Sequence, residues 1–291
     1  MLFECVINVS EGSDEVVLSA LAGASGACLL DLHADPDHQR SVFTLGGPAA
    51  DVEEAARTLA RAAVALIDLR RHQGAHPRFG AVDVVPFAPL DEVLSPHPGP
   101  GDPRAATGAR DAFCAWAGAE LALPCFCYGP CRDGGERTLP EVRRRAFVSL
   151  PPDAGPATPH PTAGACAVGA RAVLVAYNVW LEGRQHALAA DVARAIRGPA
   201  VRALAFELAG ASQVSCNLVA PLTVGPAQVF DQVSSLVTAG GGRVARAELV
   251  GLAPGAVVHA VPPGRWAELD LSESATLEAR LEERGFRTRS S

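Results

Sequence analysis

The sequence predicts an α+β protein. Short apolar β segments alternate with segments of helical period, several β segments come in adjacent pairs, and two Pro/Gly-rich stretches punctuate the chain. Paired β segments in strand–helix–strand order fit an α+β sandwich better than a doubly wound parallel sheet. The first strand is expected over residues 2–8, followed by the Ser10-Glu11-Gly12 turn and a helix over 14–24. Two β segments follow at 27–32 and 41–45. Val52, Ala55, Leu59, Ala63 and Leu66 then recur at helical spacing and define one amphipathic helix. A strand at 81–87, a Pro/Gly link at 94–103, a helix at 105–119 and short strands at 123–128 and 146–149 complete the first half. The second Pro/Gly-rich stretch ends just before a fresh apolar strand that opens at Arg171, which places the domains at 1–170 and 171–291. The second domain should hold a helix at 183–197, strands at 201–208 and 212–219, a helix at 226–238 and a strand at 244–249. A last helix carries Leu277 and Leu281 and is capped by Ser272 or Ser274.

Composition narrows the function classes. A chain of 291 residues with 48% hydrophobic residues can build real cores. No run of eighteen apolar residues and no basic n-region with an apolar stretch is present, so neither a membrane span nor a secretory signal is expected, and the default location is cytoplasmic. A net charge of −7 argues against nucleic-acid binding, which needs a basic face to neutralise phosphates. All 25 basic residues are arginine, a side chain able to grip a carboxylate with two parallel hydrogen bonds, although most such arginines serve as solvated surface charges. Cys5, Cys28, Cys114, Cys166 and Cys216 are scattered in apolar surroundings, as buried free thiols are. Cys125, Cys127 and Cys131 cluster but lack a fourth ligand or a Cys-x-x-Cys knuckle, so strand and turn cysteines are the better reading.

The densest chemistry lies in His72-Gln73-Gly74-Ala75-His76-Pro77-Arg78-Phe79-Gly80-Ala81-Val82-Asp83, two imidazoles and a guanidinium running into an apolar strand. It reads as an active-site loop, with two surface-loop histidines as the plain alternative. A zinc helix would also set His72 beside His76, but Gly74 and Pro77 oppose helix there, and no metal is expected. Asp35, Asp37 and His38 resemble a metal cluster but equally form an Asp-Pro-Asp turn.

These residues resemble the His-x-Gly-x-His-Pro-Arg-x-Gly-Ala-x-Asp signature of glutamate formiminotransferases. Further segments are similar to that family in the same order. Glu4-Cys5-Val6-Ile7-Asn8-Val9-Ser10-Glu11-Gly12 looks like its Glu-Cys-Val-Pro-Asn-Phe-Ser-Glu-Gly, with Ile7 and Val9 for Pro and Phe. Asp31 to Val42 resembles its Asp-x-x-x-Asp-x-Asp-His-Asn-Arg-Ser-Val segment, with Gln39 for Asn. Thr138-Leu139-Pro140, Gly169-Ala170-Arg171, Gln213-Val214-Ser215-Cys216-Asn217-Leu218 and Glu248-Leu249-Val250-Gly251-Leu252 match as well. The resemblance implies two α/β sandwich subdomains of ferredoxin-like type with a substrate groove between them, and no room for the cyclodeaminase domain that animal members append.

The implied reaction is transfer of a formimino group between N-formimino-L-glutamate and N5 of tetrahydrofolate, a co-substrate in one-carbon metabolism and histidine degradation. One amine must attack an amidine carbon while another leaves, and an imidazole of ordinary pKa near 6.5 can carry the proton between them. The resemblance places that role on His76. It places substrate contacts on Asn8, Arg40 and Arg78, and in the folate segment Gly155, Pro156, Ala157, Thr158, Pro159, His160, Pro161, Thr162, Ala163 and Gly164. Each has a structural alternative: an Asx turn for Asn8, a surface cation for Arg78, an interdomain linker for 155–164 and, for Asp83, a strand-end acceptor. The 155–164 interior lacks the family's aromatic residues, and Val219-Ala220-Pro221 replaces an acidic residue. A related formyl or one-carbon transferase on reduced folate, or a non-catalytic folate- or anion-binding paralogue, therefore stays open. Partners are expected to be small molecules, without nucleic acid or membrane, and a homodimer is compatible with all of this.

Overall fold

The structure is a computed structural model that describes residues 1–71, 78–131, 133–208 and 210–286. The chain forms two compact units, one of residues Met1–Glu92 and Gly101–Ala172, the other of Val93–Pro100 and Val173–Ser291. The segment 93–100, read from sequence as part of a link, thus groups with the second unit.

The first unit begins with β1 (Leu2–Val9), α1 (Glu15–Ser25), β2 (Leu29–Asp35), β3 (Arg40–Pro48), α2 (Ala49–Leu66) and β4 (Val82–Pro89). This is a βαββαβ order whose strands lie β2-β3-β1-β4, the ferredoxin-like arrangement. It continues through α3 (Thr107–Glu120), β5 (Cys125–Pro130), β6 (Glu136–Arg137), α4 (Leu139–Arg145) and β7 (Cys166–Ala170). These strands extend the sheet to seven, β2-β3-β1-β4-β7-β5-β6, with β7 parallel to both β4 and β5. The expected sandwich is present, widened by three strands of which the interior parallel strand β7 is not predicted from sequence.

Alternation along β1 sorts the two faces of this sheet. Phe3, Cys5, Ile7 and Val9 enter the core beneath the helices, while Glu4, Val6 and Asn8 point the other way. Helix α2 buries Val52, Ala55, Ala56, Leu59, Ala60 and Ala63 there. Truncating Leu59 to alanine would cost about 2–5 kcal/mol. Leu66 does not share that stripe, being 49% exposed at the helix end. On the opposite face, Val84, Phe126, Tyr128, Val142, Ala165 and Ala167 form a smaller core under α4.

The second unit is β8 (Val175–Leu181), α5 (His186–Ile196), β9 (Val201–Leu208), β10 (Ala211–Leu218), α6 (Pro226–Ala239) and β11 (Val244–Val250), then α7 (Gly255–His259) and α8 (Leu277–Glu283). Its antiparallel sheet, β11-β8-β10-β9, is again ferredoxin-like.

Three local expectations need correction. The predicted strand at 146–149 is a turn: Val148, Ser149 and Leu150 all donate backbone N–H to the Arg145 carbonyl, Phe147 sits at φ 60°, and Val148 faces outward. The apolar run after Arg171 becomes strand only at Val175. The final helix is capped by Thr276, whose Oγ1 accepts from Ala279 N at 3.2 Å, while Ser272 and Ser274 bond each other. Among the described residues no helix is long and apolar enough to cross a membrane.

Candidate active site

The polar face of the first unit's sheet is organised around Asp83. Asn8 opposes Val84 but Val9 opposes Val82, so Asp83 is the extra residue of a β-bulge. A bulge bends its strand and re-aims the side chain it carries. The Asp83 carboxylate is fully buried and accepts from Arg40 Nη1 at 2.7 Å, Arg143 Nη2 at 2.5 Å and the backbone N–H of Phe79 at 2.5 Å. Burial alone would raise its pKa, yet the Arg40 and Arg143 guanidiniums and the Phe79 N–H outweigh burial and hold it at about 2.

Arg40, the first residue of β3, also donates Nε to Asn8 Oδ1 at 3.0 Å, and Asn8 Nδ2 donates to the Val6 carbonyl at 3.1 Å. Asn8 therefore aims an arginine and closes no Asx turn. Arg78 Nη2 donates to the His38 carbonyl at 3.3 Å. Burial and then the charge of Arg40 lower the Arg78 pKa, with Asp83 opposing, which places all three groups in one field. Arg143, on α4, is the member that sequence reading missed. His76 lies outside the described residues, as does the whole of 72–77.

The signature strand is stitched to two other segments. Ser10 Oγ donates to the Gly80 carbonyl at 2.8 Å and Ser10 N to the Ala81 carbonyl at 2.9 Å. Ala81 N bonds the Ala163 carbonyl, Ala165 N the Phe79 carbonyl, and Leu69 N the Thr162 carbonyl. A Cβ on Gly80 would sit 1.9 Å from the Ala165 carbonyl oxygen, so only glycine permits this crossing. The end of the 155–164 segment thus lies directly on the signature strand. His160 Nδ1 accepts from Ala163 N at 3.0 Å and Thr162 N at 3.3 Å, which assigns the ring proton to Nε2 in the neutral form. Residues 155–159 are exposed, and Gly155 is set against Leu123 rather than the Asp83 cluster.

The family description "Formiminotransferase domain, N-terminal subdomain" matches residues 2–171. A glutamate formimidoyltransferase of Streptococcus pyogenes serotype M1 is 34% identical over 87% of this chain and 89% of its own. One from Thermoplasma acidophilum is 32% identical over 87% of this chain and 88% of its own. A formimidoyltransferase-cyclodeaminase of Sus scrofa is 34% identical over 87% of this chain and 50% of its own. The chain belongs to the formiminotransferase family.

Within this formiminotransferase unit a second buried carboxyl lies on the same polar face. Glu4, 1% exposed, stands 3.7 Å from Arg171 Nη1, and its Oε2 accepts no hydrogen bond among the described residues. Burial pushes its pKa up to about 7, with Arg171 pulling the other way. Tyr128 lies flat over Gly169, where a Cβ would meet its ring at 2.1 Å. Burial raises its phenol to about 12.

A surface concavity of about 390 Å³ is lined by Ser10, Glu11, Asp14, Val17, Gln39, Leu66, Ile67, Asp68 and Arg71. Its three carboxylates make it unsuited to a dianion, and Glu11 is already spent on the N–H groups of Gly12, Ser13 and Asp14. The cysteines form no cage. Cys114 and Cys127 approach with sulfurs 3.2 Å apart, Cys125 is buried in the helix-side core, and burial raises the Cys166 thiol pKa. Among the described residues no group of three His, Cys, Asp or Glu is arranged to hold a metal. Asp35 is spent locally, accepting from His38 N at 2.9 Å.

In the second unit, Trp180 Nε1 and Asn178 Nδ2 both donate to Glu248 Oε2, and Arg246 covers the Trp180 ring at 4.5 Å. Gln213 is fully buried opposite Trp180 in register, whereas Val214, Cys216 and Leu218 face the helices.

Proposed function

We propose that the protein transfers the formimino group between N-formimino-L-glutamate and N5 of tetrahydrofolate. The observation that carries this reading is the convergence of the signature strand, the polar end of β1 and the 160–164 segment, in a chain whose relatives are named for formimidoyl transfer. In the forward step N5 bonds to the amidine carbon, the bond from that carbon to the glutamate nitrogen breaks, and the proton lost by N5 ends on the leaving amine. His76 is our choice for the shuttle, from its place in the signature motif, since an imidazole both accepts and returns a proton near neutral pH.

Arg40 and Arg143 set two guanidiniums on one carboxylate, and Arg78 adds a third cation nearby. This local positive excess in an acidic protein suits the carboxylates of a glutamate moiety. Asp83 supplies the fixed point that keeps the guanidiniums in place. The exposed 155–159 stretch, without aromatic side chains, supports folate binding of modest affinity, held more by the glutamate end than by stacking. The ferredoxin-like order of the second unit supports reading 171–291 as the family's C-terminal subdomain. Polar, diffusible substrates fit a cytoplasmic enzyme.

His76→Ala should lower turnover by about 10² to 10⁴ while leaving the melting temperature in place. Wild-type turnover in that variant would remove His76 from the proton path.

A further inference from the structure

Glu4 has no part in the transfer chemistry above, yet its surroundings are those of a binding group. Its side chain shares the polar face of β1 with Val6 and Asn8. Its cross-strand neighbours on that face are Gly46 of β3 and Ala88 of β4, neither of which carries a hydrogen-bonding side chain. Arg171 Nη1, at 3.7 Å, is beyond hydrogen-bond range. Thr44 lies diagonally across on β3, opposite Val6, and its Oγ1 is also buried without a partner among the described residues. Leaving such a group unpaired costs about 1–3 kcal/mol, more when it is charged, and two adjacent cases are a reason to look for a ligand that supplies the missing donors.

We propose that Glu4, with Thr44 beside it, receives a planar amidine edge of a substrate, two N–H donors carried on one carbon. A carboxylate offers two acceptor oxygens side by side and matches such an edge as it matches the fork of an arginine. This rests on the transfer reading, because both of its substrates carry the edge: the pterin at N3, C2 and the 2-amino group, the donor at its formimino carbon. Arg171 balances the charge without occupying the carboxyl.

The test is steady-state kinetics of Glu4→Gln with each substrate varied in turn. One of the two KM values should rise about 10- to 100-fold, the worth of a hydrogen bond to a charged group, with kcat at saturation within about threefold of wild type. A rise for tetrahydrofolate assigns the pterin edge, and a rise for formimino-glutamate assigns the formimino edge. Thr44→Val should raise the same KM by a smaller factor. A readout that needs no variant is competition by 2-desamino-tetrahydrofolate and by N-formyl-glutamate, each of which lacks one of the two N–H donors of its edge. Wild type should reject one of them by at least about tenfold relative to its natural counterpart. Flat KM values in Glu4→Gln, or wild type accepting both analogues equally, would overturn the proposal and leave Glu4 served by solvent or by Arg171. Wild type without any turnover on the two substrates would be a separate failure, one that removes the transfer reading and this inference with it.

Discussion

Asp83 and Glu4 are buried carboxyls on adjacent strands of one sheet, held in opposite states. Asp83 has three donors within hydrogen-bond distance and stays ionised down to about pH 2, whereas Glu4 has one distant guanidinium and titrates near 7. Desolvation is the largest influence on both. What separates them is whether the fold brings donors to the group, which for Asp83 is achieved by a bulge in β4 and an arginine from α4. The lesson is that burial alone does not make a structural carboxylate: a paired one organises a site, and an unpaired one is poised for a partner.

The largest effect is expected at the paired carboxylate. Asp83→Asn removes the charge that two guanidiniums share and should cost about 3–5 kcal/mol in a denaturant titration, since it leaves uncompensated buried charge. A loss within experimental error would mean that Arg40 and Arg143 reach solvent readily and that Asp83 organises nothing.

Arg143→Ala tests the half of that cluster hidden from sequence reading. With Arg40 still on Asp83, it should cost about 1–3 kcal/mol, and the double variant with Asp83→Asn should cost less than the sum of the two. Strict additivity would show that the two side chains do not work together.

Smaller effects follow from the pKa displacements, and their signs differ. The Glu4 pKa is higher in the folded chain than in the unfolded one, so its contribution is fully present below about pH 4 and is lost as pH rises through about 7. The melting temperature of wild type should therefore fall by a few degrees between pH 5 and 8, and Glu4→Gln should flatten that slope. The Asp83 pKa is lower in the folded chain, so its contribution is present above about pH 4 and is lost as pH falls toward about 2. Asp83→Asn should accordingly remove part of the acid sensitivity of wild type. Identical pH–stability curves for all three proteins would erase the distinction between the two carboxyls.

Much of this was legible before any coordinates. Period-2 and helical-period patterning located most strands and helices, because each element buries one face against a single core and the alternation of Phe3, Cys5, Ile7 and Val9 records it. The interior parallel strand Cys166–Ala170 was hidden because its five residues are buried on both faces and carry no alternation. Helix α4 was announced by Thr138 and Glu141 at capping-box spacing with Pro140 between them, a signal that the 146–149 apolar run overshadowed. At the site, Asn8, Arg40 and Arg78 were named from segments that carry them, and the structure sets Asn8 and Arg40 in one network with Arg78 in its field. Arg143 could not be named, since it is one of three consecutive arginines and only the placement of α4 selects it. Glu4 stood in plain view as the first residue of a family motif. That its Oε2 has no hydrogen-bond partner among the described residues depends on which strands flank it, with Gly46 and Ala88 standing opposite, and sequence order does not show this.

Formimino transfer is read out by the release of glutamate. Purified protein should liberate stoichiometric glutamate from N-formimino-L-glutamate only when tetrahydrofolate is present, with formiminotetrahydrofolate appearing at the same rate and turnover falling about 10² to 10⁴ in His76→Ala. Glutamate release that ignores tetrahydrofolate, or none at millimolar concentrations of both substrates, would rule out transfer to the folate.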